Sequence, residues 1–307
     1  MKTSEVYQQI TNSGIMPTVF VYSIEDTVEL AKTLHANGVH VVELLQRTPD
    51  ALEAIRAVKE QVPGMVVGAG TVLNPEIAEN VYRMGADFIV SPYYHQDIVD
   101  WANAHELAAI PGCASISEIS RGYDSGLRYF KLFPANQLGG PAMIRQISEI
   151  YNDARYIPAG GITFEDTKEY CKSKFVAAVG TVCIMPSDLI AAHKWDEIAV
   201  LTRKTISAML GLELVYSAGV CSALGEAGRF LEEDKEGCKV PLELFETPDA
   251  PELGFCTYSI DRAMSYLCGE GTTGTVIRRT ADGFPAVADL TDPATGKRIR
   301  LAARYSL

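Results

Sequence analysis

The chain has 307 residues, a formal net charge of −12 and a hydrophobic content of 47%. This length and composition support one large domain with a small one, or two medium domains. The acidic balance argues against nucleic acid or an anionic membrane as the main partner, whereas a small anionic substrate is compatible with a locally positive site.

Short apolar runs alternate with amphipathic segments from residue 15 to about residue 186. The segments between the runs, such as Glu25–Ala31 and Asp50–Val58, have the apolar spacing of helices. Strands that alternate with helices pair in parallel, so the pattern predicts a (β/α)8 TIM barrel, with a doubly wound open sheet as the alternative. The eight runs are Ile15–Val21, Gly38–Leu45, Met65–Ala69, Asp87–Val90, Ala108–Ile110, Arg128–Phe133, Arg155–Pro158 and Phe175–Val179.

The last third of the chain has a different pattern. A helix from Trp195 to about Met209 closes the predicted barrel domain, residues 1–209, and Gly211 marks a boundary. Residues 211–307 combine short strand-like and helical pieces separated by glycine turns, which predicts a separate small α+β domain. The strand-like pieces are Leu212–Tyr216, Leu242–Glu246, Thr275–Arg278 and Arg298–Ala303, and the helical ones are Ser222–Glu232 and Ser259–Leu267.

The cysteines and the first ten residues indicate the cellular compartment of the protein. The seven cysteines form no CxxC pair and show no spacing typical of a metal site. Residues 1–10 are polar without a signal-peptide core, and no apolar stretch approaches the roughly 20 residues of a membrane span. These features predict a cytoplasmic protein with reduced thiols and no membrane segment.

Lys131 lies in the middle of the sixth apolar run. A charged amine in such a strand costs several kcal/mol unless it is paired or neutralised. A neutral amine in an apolar pocket is the nucleophile that forms Schiff bases with carbonyl substrates. The alternative is a lysine at a strand end whose amine reaches water.

Glu43 is a second charge inside an apolar run, and Arg47 follows that run. A buried carboxyl of this kind suits general acid–base catalysis. Alternatively, Glu43 forms a structural ion pair with Arg47. The guanidinium of Arg47 suits a substrate carboxylate, because its fork binds one through two hydrogen bonds. The alternative for Arg47 is a solvated loop side chain.

Small or polar residues stand at the C-terminal ends of several runs, where the active sites of such barrels lie. Thr71 follows a glycine-rich strand and could hydrogen-bond the same carboxylate, or else cap the helix that follows. Gly160 and Gly161 precede a predicted helix whose N-terminal amides suit an anion. Together with Gly180 after the eighth run, they match the position of the phosphate site in many barrels.

Six segments together resemble the class I aldolases that cleave 2-keto-3-deoxy-6-phosphogluconate and 4-hydroxy-2-oxoglutarate. The resemblance covers about residues 1–209 and implies a (β/α)8 barrel, commonly assembled as a homotrimer. The matching segments, in family order and spacing, are Val42–Thr48, Val67–Leu73, Val90–Pro92, Ile110–Cys113, Phe130–Ala135 and Pro158–Ile162.

The resemblance implies a role for each candidate residue. Lys131 would be the Schiff-base lysine and Glu43 the acid–base, and the reaction would need no metal or cofactor. The substrate would be a 2-keto-4-hydroxy acid, cleaved to pyruvate and an aldehyde. The implied substrate-binding residues are Arg47 and Thr71 for the pyruvate carboxylate, Gly160 and Gly161 for phosphate, and Pro92, Phe133 and Thr181.

The chain departs from the family pattern in two places. Val182 stands where the family usually has a phosphate-binding serine, so phosphate binding is in doubt and Thr181 would compensate only in part. Tyr93-Tyr94-His95 replaces the small residue that often follows Ser-Pro, which would reshape the aldehyde side of the site. His95 is expected on a loop surface, and Cys113 as a packed small residue.

Residues 211–307 resemble a glyoxalase-like (vicinal oxygen chelate) domain. The two repeats would be represented by Leu212–Tyr216 and Leu253–Leu267. Tyr216 stands where metal-binding members have a histidine, and the segment contains no histidine. We therefore expect a degenerate, metal-free module that serves interaction, regulation or stability.

Two other functions stay open from the sequence. One is a non-catalytic protein that binds a keto acid and passes the signal to the C-terminal domain. The intact set of Lys131, Glu43, Arg47 and Thr71 argues against it, since a binding protein does not need the amine. The other is a Schiff-base decarboxylase or dehydratase, which would release CO₂ or water without an aldehyde.

Overall fold

The computed structural model describes residues 1–217, 251, 253–268, 274–291, 296 and 298–304. The chain divides into two compact units, Met1–Thr202 and Arg203–Leu307, and the division falls inside one helix, Trp195–Leu210. The predicted domain limits, 1–209 and 211–307, stay a prediction. The predicted pieces Ser222–Glu232 and Leu242–Glu246 lie outside the described residues.

The first unit alternates strands and helices along its whole length. Its strands are β1 (Ile15–Phe20), β2 (Val41–Leu45), β3 (Val66–Gly70), β4 (Phe88–Val90), β5 (Ala108–Ile110), β6 (Gly112–Cys113), β7 (Tyr129–Leu132), β8 (Arg155–Pro158) and β9 (Val179–Thr181). Its helices are α1 (Thr3–Ser13), α2 (Ile24–Ala36), α3 (Ala51–Gln61), α4 (Pro75–Arg83), α5 (Gln96–Ala104), α6 (Ile116–Asp124), α7 (Gly140–Ile150), α8 (Phe164–Cys171), α9 (Ser187–Ala191) and α10 (Trp195–Leu210).

All strand pairs of this unit are parallel and follow the order of a barrel. One curled sheet has the order β5-β4-β3-β2-β1-β9 and the other has the order β6-β7-β8. β5 and β6 are two parts of one barrel strand, interrupted at Pro111, which has no N–H to donate. At the other edge, the N–H of Ala177 donates to the Tyr156 carbonyl at 2.9 Å and so links β8 to the segment before β9. The predicted barrel fold is confirmed.

The barrel interior is apolar toward the N-terminal ends of its strands. Small and branched side chains from successive strands pack there in one cluster, among them Val41, Val66 and Ala108. Val6 and Ile10 of α1 pack against the same cluster, so α1 lies across this end of the barrel. A polar site inside the barrel is therefore expected at the opposite, C-terminal end of the strands, where the active sites of this fold lie.

Several helices begin at a side chain that accepts a backbone hydrogen bond. Ser23, Asn74 and Ser115 cap α2, α4 and α6 in this way, each accepting an N–H three residues further on. Such a cap stabilises a helix by roughly 1 kcal/mol and sets where it starts. None of the helices in the described ranges is long and apolar enough to cross a membrane.

The second unit is rich in β-structure. Its described strands are β10 (Glu213–Ser217), β11 (Leu253–Thr257), β12 (Thr275–Arg279), β13 (Pro285–Thr291) and β14 (Arg298–Ala303). They form a sheet in the order β10-β11-β14-β13-β12, and the described part of this sheet region also contains the amphipathic helix α11 (Ile260–Cys268). A buried Arg300 pairs with Asp289 on the neighbouring strand at 2.6 Å.

Candidate active site

Lys131 and Glu43 form a buried ion pair inside the barrel. The Lys131 Nζ atom lies 3.1 Å from Oε1 of Glu43. Glu43 on β2 has no exposed surface and Lys131 on β7 is 7% exposed. The amine therefore faces the carboxylate rather than water, and the ion pair of Glu43 is made with Lys131 rather than with Arg47. Removing one partner of such a pair leaves a buried charge uncompensated.

The strands on both sides of β2 hold the Glu43 carboxylate in place. In the register of the sheet, Thr18 on β1 and Gly68 on β3 lie opposite Glu43. The Thr18 hydroxyl donates to Oε2 of Glu43 at 3.2 Å. A Cβ atom at Gly70 would collide with Oε1 of Glu43 and lie 2.8 Å from its Cγ, so only glycine leaves room for the carboxylate at this position. Thr18 is not among the residues predicted from the sequence, although a threonine inside an apolar run is visible there.

Replacement of Thr18 by valine is expected to slow turnover without weakening substrate binding. Valine matches the shape of threonine but cannot donate to Glu43, and one such hydrogen bond contributes about 1 kcal/mol, or roughly fivefold in rate. We expect kcat to fall by about this factor at unchanged KM, measured by steady-state kinetics. Thr18→Ser should restore kcat; equal losses in both variants would contradict a positioning role for the hydroxyl.

Arg47 and Thr71 meet at the C-terminal ends of β2 and β3. The Nε atom of Arg47 donates to the Thr71 hydroxyl at 2.9 Å. Thr71 has a φ of 62°, in the left-handed region that β-branched residues rarely adopt. The N-cap of α4 is Asn74, which accepts the N–H of Ile77 at 2.8 Å, so the interpretation of Thr71 as the helix cap is wrong.

Phe133 and Pro92 stand near the same end of the barrel. The Lys131 Nζ atom lies 5.6 Å from the centre of the Phe133 ring. A Cβ atom at Gly160 would lie 3.1 Å from that ring, so Gly160 gives Phe133 its space. Pro92 follows β4, and its carbonyl lies so close to Gly112 that a side chain there would collide with it.

Gly161 and Thr181 differ in what they offer to a ligand. Gly161, with a φ of 67°, has no neighbouring atom within 4 Å of where a Cβ would stand, so it faces open space. The Thr181 hydroxyl is buried, donates to the Ile162 carbonyl at 3.0 Å and accepts the N–H of Cys183 at 3.1 Å. Thr181 therefore uses its hydroxyl within the protein.

Tyr93 and His95 lie between β4 and α5, and Cys113 lies in β6. Tyr93 is exposed, and its hydroxyl donates to the Leu73 carbonyl at 3.1 Å. His95 is half-buried in the loop before α5, at the N-cap position of that helix. Cys113 is buried in β6, where burial and the nearby Glu118 carboxylate raise the pKa of its thiol, so it remains a packed, protonated side chain.

A cavity of about 930 Å³ lies at the N-terminal end of the barrel strands. It is lined by the first residues of α1 and by residues that precede β5 and begin β7, such as Leu107 and Tyr129. Neither Lys131 nor Glu43 lines it. The buried pair is therefore separate from this cavity.

Comparisons with known proteins agree on one family. The family model described as KDPG and KHG aldolase matches residues 6–201. A 2-dehydro-3-deoxy-phosphogluconate aldolase of Dickeya dadantii is 36% identical over 201 residues, which are 65% of this chain and 94% of that protein. The KHG/KDPG aldolase of Escherichia coli K12 is 36% identical over 64% of this chain and 92% of its own length.

A solved structure adds a chemical observation. The KDPG aldolase of Legionella pneumophila, with pyruvate captured at low pH as a covalent carbinolamine intermediate, superimposes with a TM-score of 0.62. It is 34% identical, and the match covers 66% of this chain and 97% of that one. A carbinolamine is the adduct of an amine with a ketone, which is the chemistry that a buried lysine offers. The present chain thus belongs to the KDPG and KHG aldolase family, whose members are carbon–carbon lyases.

Proposed function

We propose that this chain cleaves a 2-keto-4-hydroxy acid to pyruvate and an aldehyde through a Schiff base on Lys131. The observation that carries the proposal is the buried contact of 3.1 Å between the Lys131 amine and the Glu43 carboxylate. It supplies a nucleophile and a proton acceptor at one point, inside a barrel of the matching family. The compounds that name the relatives, KDPG and KHG, are both 2-keto-4-hydroxy acids.

In the first half of the reaction, Lys131 forms the iminium. A proton passes from the ammonium of Lys131 to the Glu43 carboxylate across the hydrogen bond, which frees the amine. The amine attacks the C2 ketone of the substrate to give a carbinolamine. Glu43 then returns its proton to the departing hydroxyl, and water leaves as the carbon–nitrogen double bond forms.

In the second half, the iminium accepts the electrons of the broken bond. The Glu43 carboxylate takes the proton of the C4 hydroxyl, the C3–C4 bond breaks and the aldehyde leaves. The electron pair moves into the iminium and gives an enamine on Lys131. Glu43 returns this proton to C3 of the enamine, and water then hydrolyses the resulting iminium to release pyruvate and the free lysine.

Arg47 and Thr71 are proposed to bind the carboxylate of the substrate. The guanidinium already donates to the Thr71 hydroxyl, so both groups are held at one place on the barrel rim. Pro92, Phe133, Gly160, Gly161 and Thr181 are proposed to shape the rest of the substrate site. Phe133, which occupies the space beside Gly160, would pack against the chain bound to Lys131, and Gly161, which faces open space, would let that chain approach the backbone closely.

Arg47→Lys is expected to weaken substrate binding. Lysine keeps the charge but loses the fork that binds a carboxylate and the Nε–H that contacts Thr71. Charge-assisted hydrogen bonds contribute about 1.5–3 kcal/mol, so we expect the KM for the keto acid to rise at least about tenfold with a smaller change in kcat. Arg56→Lys, on the surface of α3, is the matched control and should leave KM unchanged. An unchanged KM in Arg47→Lys would remove Arg47 from the site.

We further propose a homotrimer in the cytoplasm, which family resemblance and reduced cysteines support. In the described ranges, Cys113 and Cys268 are free thiols. Light scattering should give three times the chain mass of 33.4 kDa. A mass equal to one or two chains would contradict the trimer.

The C-terminal domain is proposed to be a degenerate glyoxalase-like module without a metal. Its β-rich sheet with one described helix supports a small separate domain. In the described parts of the chain, no group of three or more His, Cys, Asp or Glu could hold a metal ion. Zinc or nickel that stays bound in stoichiometric amount after dialysis would overturn this proposal.

Reductive trapping tests the proposed function. The protein is incubated with pyruvate and borohydride, digested, and analysed by peptide mass spectrometry. We expect a reduced pyruvyl adduct on the peptide that contains Lys131, and retro-aldol turnover in parallel. An adduct without release of an aldehyde would favour the keto-acid-binding alternative, and CO₂ or water released without an aldehyde would identify a decarboxylase or dehydratase. Absence of an adduct on the folded protein would overturn the proposal.

A further inference from the structure

A second cavity, of about 200 Å³, opens at the C-terminal ends of β1 and β9. Its walls are mainly apolar and include Phe20, Tyr22, Val182, Met185 and Ile190. None of the described residues that line it is charged, and Thr18, Tyr22 and Ser187 are the lining residues that carry a hydroxyl. The rings of Phe20 and Tyr22 lie 4.8 Å apart, so one wall is aromatic.

This cavity adjoins the catalytic pair. Thr18 lines it and at the same time donates to Oε2 of Glu43. Phe20 follows Thr18 by two residues on β1, so it lies on the same face of the strand and nearer to the mouth of the barrel. A substrate bound to Lys131, with its C4 hydroxyl at Glu43, can therefore extend its far end into this cavity.

Val182 gives the cavity an apolar wall, which offers no hydrogen-bond donor to a charged group at the end of a substrate. It is 53% exposed and lines the cavity directly after β9. The neighbouring Thr181 hydroxyl already donates to the Ile162 carbonyl and accepts the N–H of Cys183. An anion entering here would lose its hydration and gain no cationic partner from the cavity wall.

The nearby N-terminus of α8 already holds an anion of the protein. The Asp166 carboxylate accepts the N–H and the hydroxyl of Thr163, both at 2.9 Å, and the amide of Asn136 at 3.0 Å. Burial alone would raise the pKa of this carboxyl, but these hydrogen bonds hold the pKa below its usual value. The carboxylate stays charged at neutral pH and repels a second anion at this helix end.

We infer that the cavity beside β1 and β9 binds the end of the substrate that becomes the aldehyde, and that this end is uncharged and apolar. The substrate class is then a 2-keto-4-hydroxy acid with an alkyl or aryl group at C4. Phe20, Tyr22 and Val182 determine this specificity, through apolar contacts that exclude water. The inference rests on the proposed function and narrows its substrate.

The test is the aldol reaction in the synthetic direction. The full-length protein is given pyruvate with butanal or benzaldehyde, and separately with glyceraldehyde 3-phosphate or glyoxylate, and kcat/KM is measured for each aldehyde. We expect the uncharged aldehydes to be preferred at least about tenfold, since one or two apolar groups in a pocket discriminate by this amount. Val182→Ser should reduce that preference by about the same factor. Val200→Ser, at an equally exposed valine on α10, should leave it unchanged.

The outcomes separate this inference from the function on which it rests. Preference for glyceraldehyde 3-phosphate or glyoxylate in the unmodified protein overturns the inference and leaves the aldolase activity standing. If Val182→Ser and Val200→Ser change the preference for uncharged aldehydes to the same extent, the cavity does not determine that preference. No turnover with any of the four aldehydes overturns both the inference and the lyase, even if pyruvate is trapped on Lys131.

Discussion

Lys131→Met is expected to abolish both pyruvate trapping and aldehyde release. Methionine keeps most of the volume of the lysine stem but has no amine to attack the C2 ketone. Removing the nucleophile of a covalent mechanism commonly lowers kcat by about 10³-fold or more. Borohydride trapping and a coupled assay for pyruvate release measure the two losses. Turnover within tenfold of the unmodified protein would mean that the reaction does not pass through this lysine.

The stability of the Lys131→Met variant needs a control of its own. The substitution leaves the Glu43 carboxylate buried without its cation, and breaking such a pair costs about 3–5 kcal/mol. The double variant Lys131→Met/Glu43→Gln removes both charges and should unfold closer to the unmodified protein. Lys59→Met breaks the partly exposed pair with Asp87, 2.7 Å apart, and should keep the adduct. Loss of the adduct in Lys59→Met would mean that the assay reports folding rather than chemistry.

Glu43→Gln is expected to slow turnover strongly while pyruvate remains trappable. Glutamine has the same shape: its amide oxygen can accept the hydrogen bond from Lys131, and its NH2 group can donate to the Thr18 hydroxyl, so the side chain keeps its position. It cannot take the proton of the C4 hydroxyl, and loss of a general base costs about 10²–10⁴-fold. We expect kcat for cleavage to fall in this range, measured from aldehyde release, while the Lys131 adduct forms more slowly but to completion.

A matched variant makes the Glu43 result specific. Glu79→Gln removes a carboxylate from the surface pair with Arg83 on α4, and it should leave kcat unchanged. If Glu43→Gln cleaves as fast as Glu79→Gln, another group carries the proton and the acid–base assignment fails. If Glu43→Gln traps no pyruvate at all, the carboxylate is needed to form the Schiff base as well as to break the carbon–carbon bond.

The sequence indicates Lys131 and Glu43 as candidate site residues because a buried charge is visible in the local sequence. Lys131 and Glu43 each interrupt an apolar run, and a charge there needs a partner. That they meet across 88 residues followed only from the barrel, whose parallel strands bring their ends to one side. The family, the barrel fold and the aldolase class predicted from these segments are confirmed.

Other features of the site depend on register, which a single sequence does not reveal. Thr18 contacts Glu43 because β1 and β2 pair with these two residues opposite each other. Met185 and Ile190 line the same cavity as Phe20 because β9 pairs with β1. These two strands are far apart in the sequence, so no local pattern predicts their pairing. The sequence offers Thr71 as a possible cap of α4, since threonine and asparagine both accept hydrogen bonds at helix starts, but the cap is Asn74.

Strand limits were predicted less well than strand existence. The eighth run was placed at Phe175–Val179, whereas β9 spans Val179–Thr181 and Val176 forms only an isolated bridge. Apolar side chains there fill the core without making a ladder, so hydrophobicity marks burial rather than strand pairing. In the second unit, the strand β13 is absent from the pieces predicted from the sequence.

At position 71, the residue that best suits the left-handed backbone differs from the residue that best holds the Arg47 side chain. A β-branched residue at a φ of 62° carries about 1–3 kcal/mol of backbone strain. Glycine or asparagine would relieve that strain, but neither would offer the hydroxyl that orders the Arg47 side chain before any ligand arrives. A library of variants screened only for heat resistance would then enrich glycine or asparagine at position 71, whereas a screen for growth on the substrate would retain threonine.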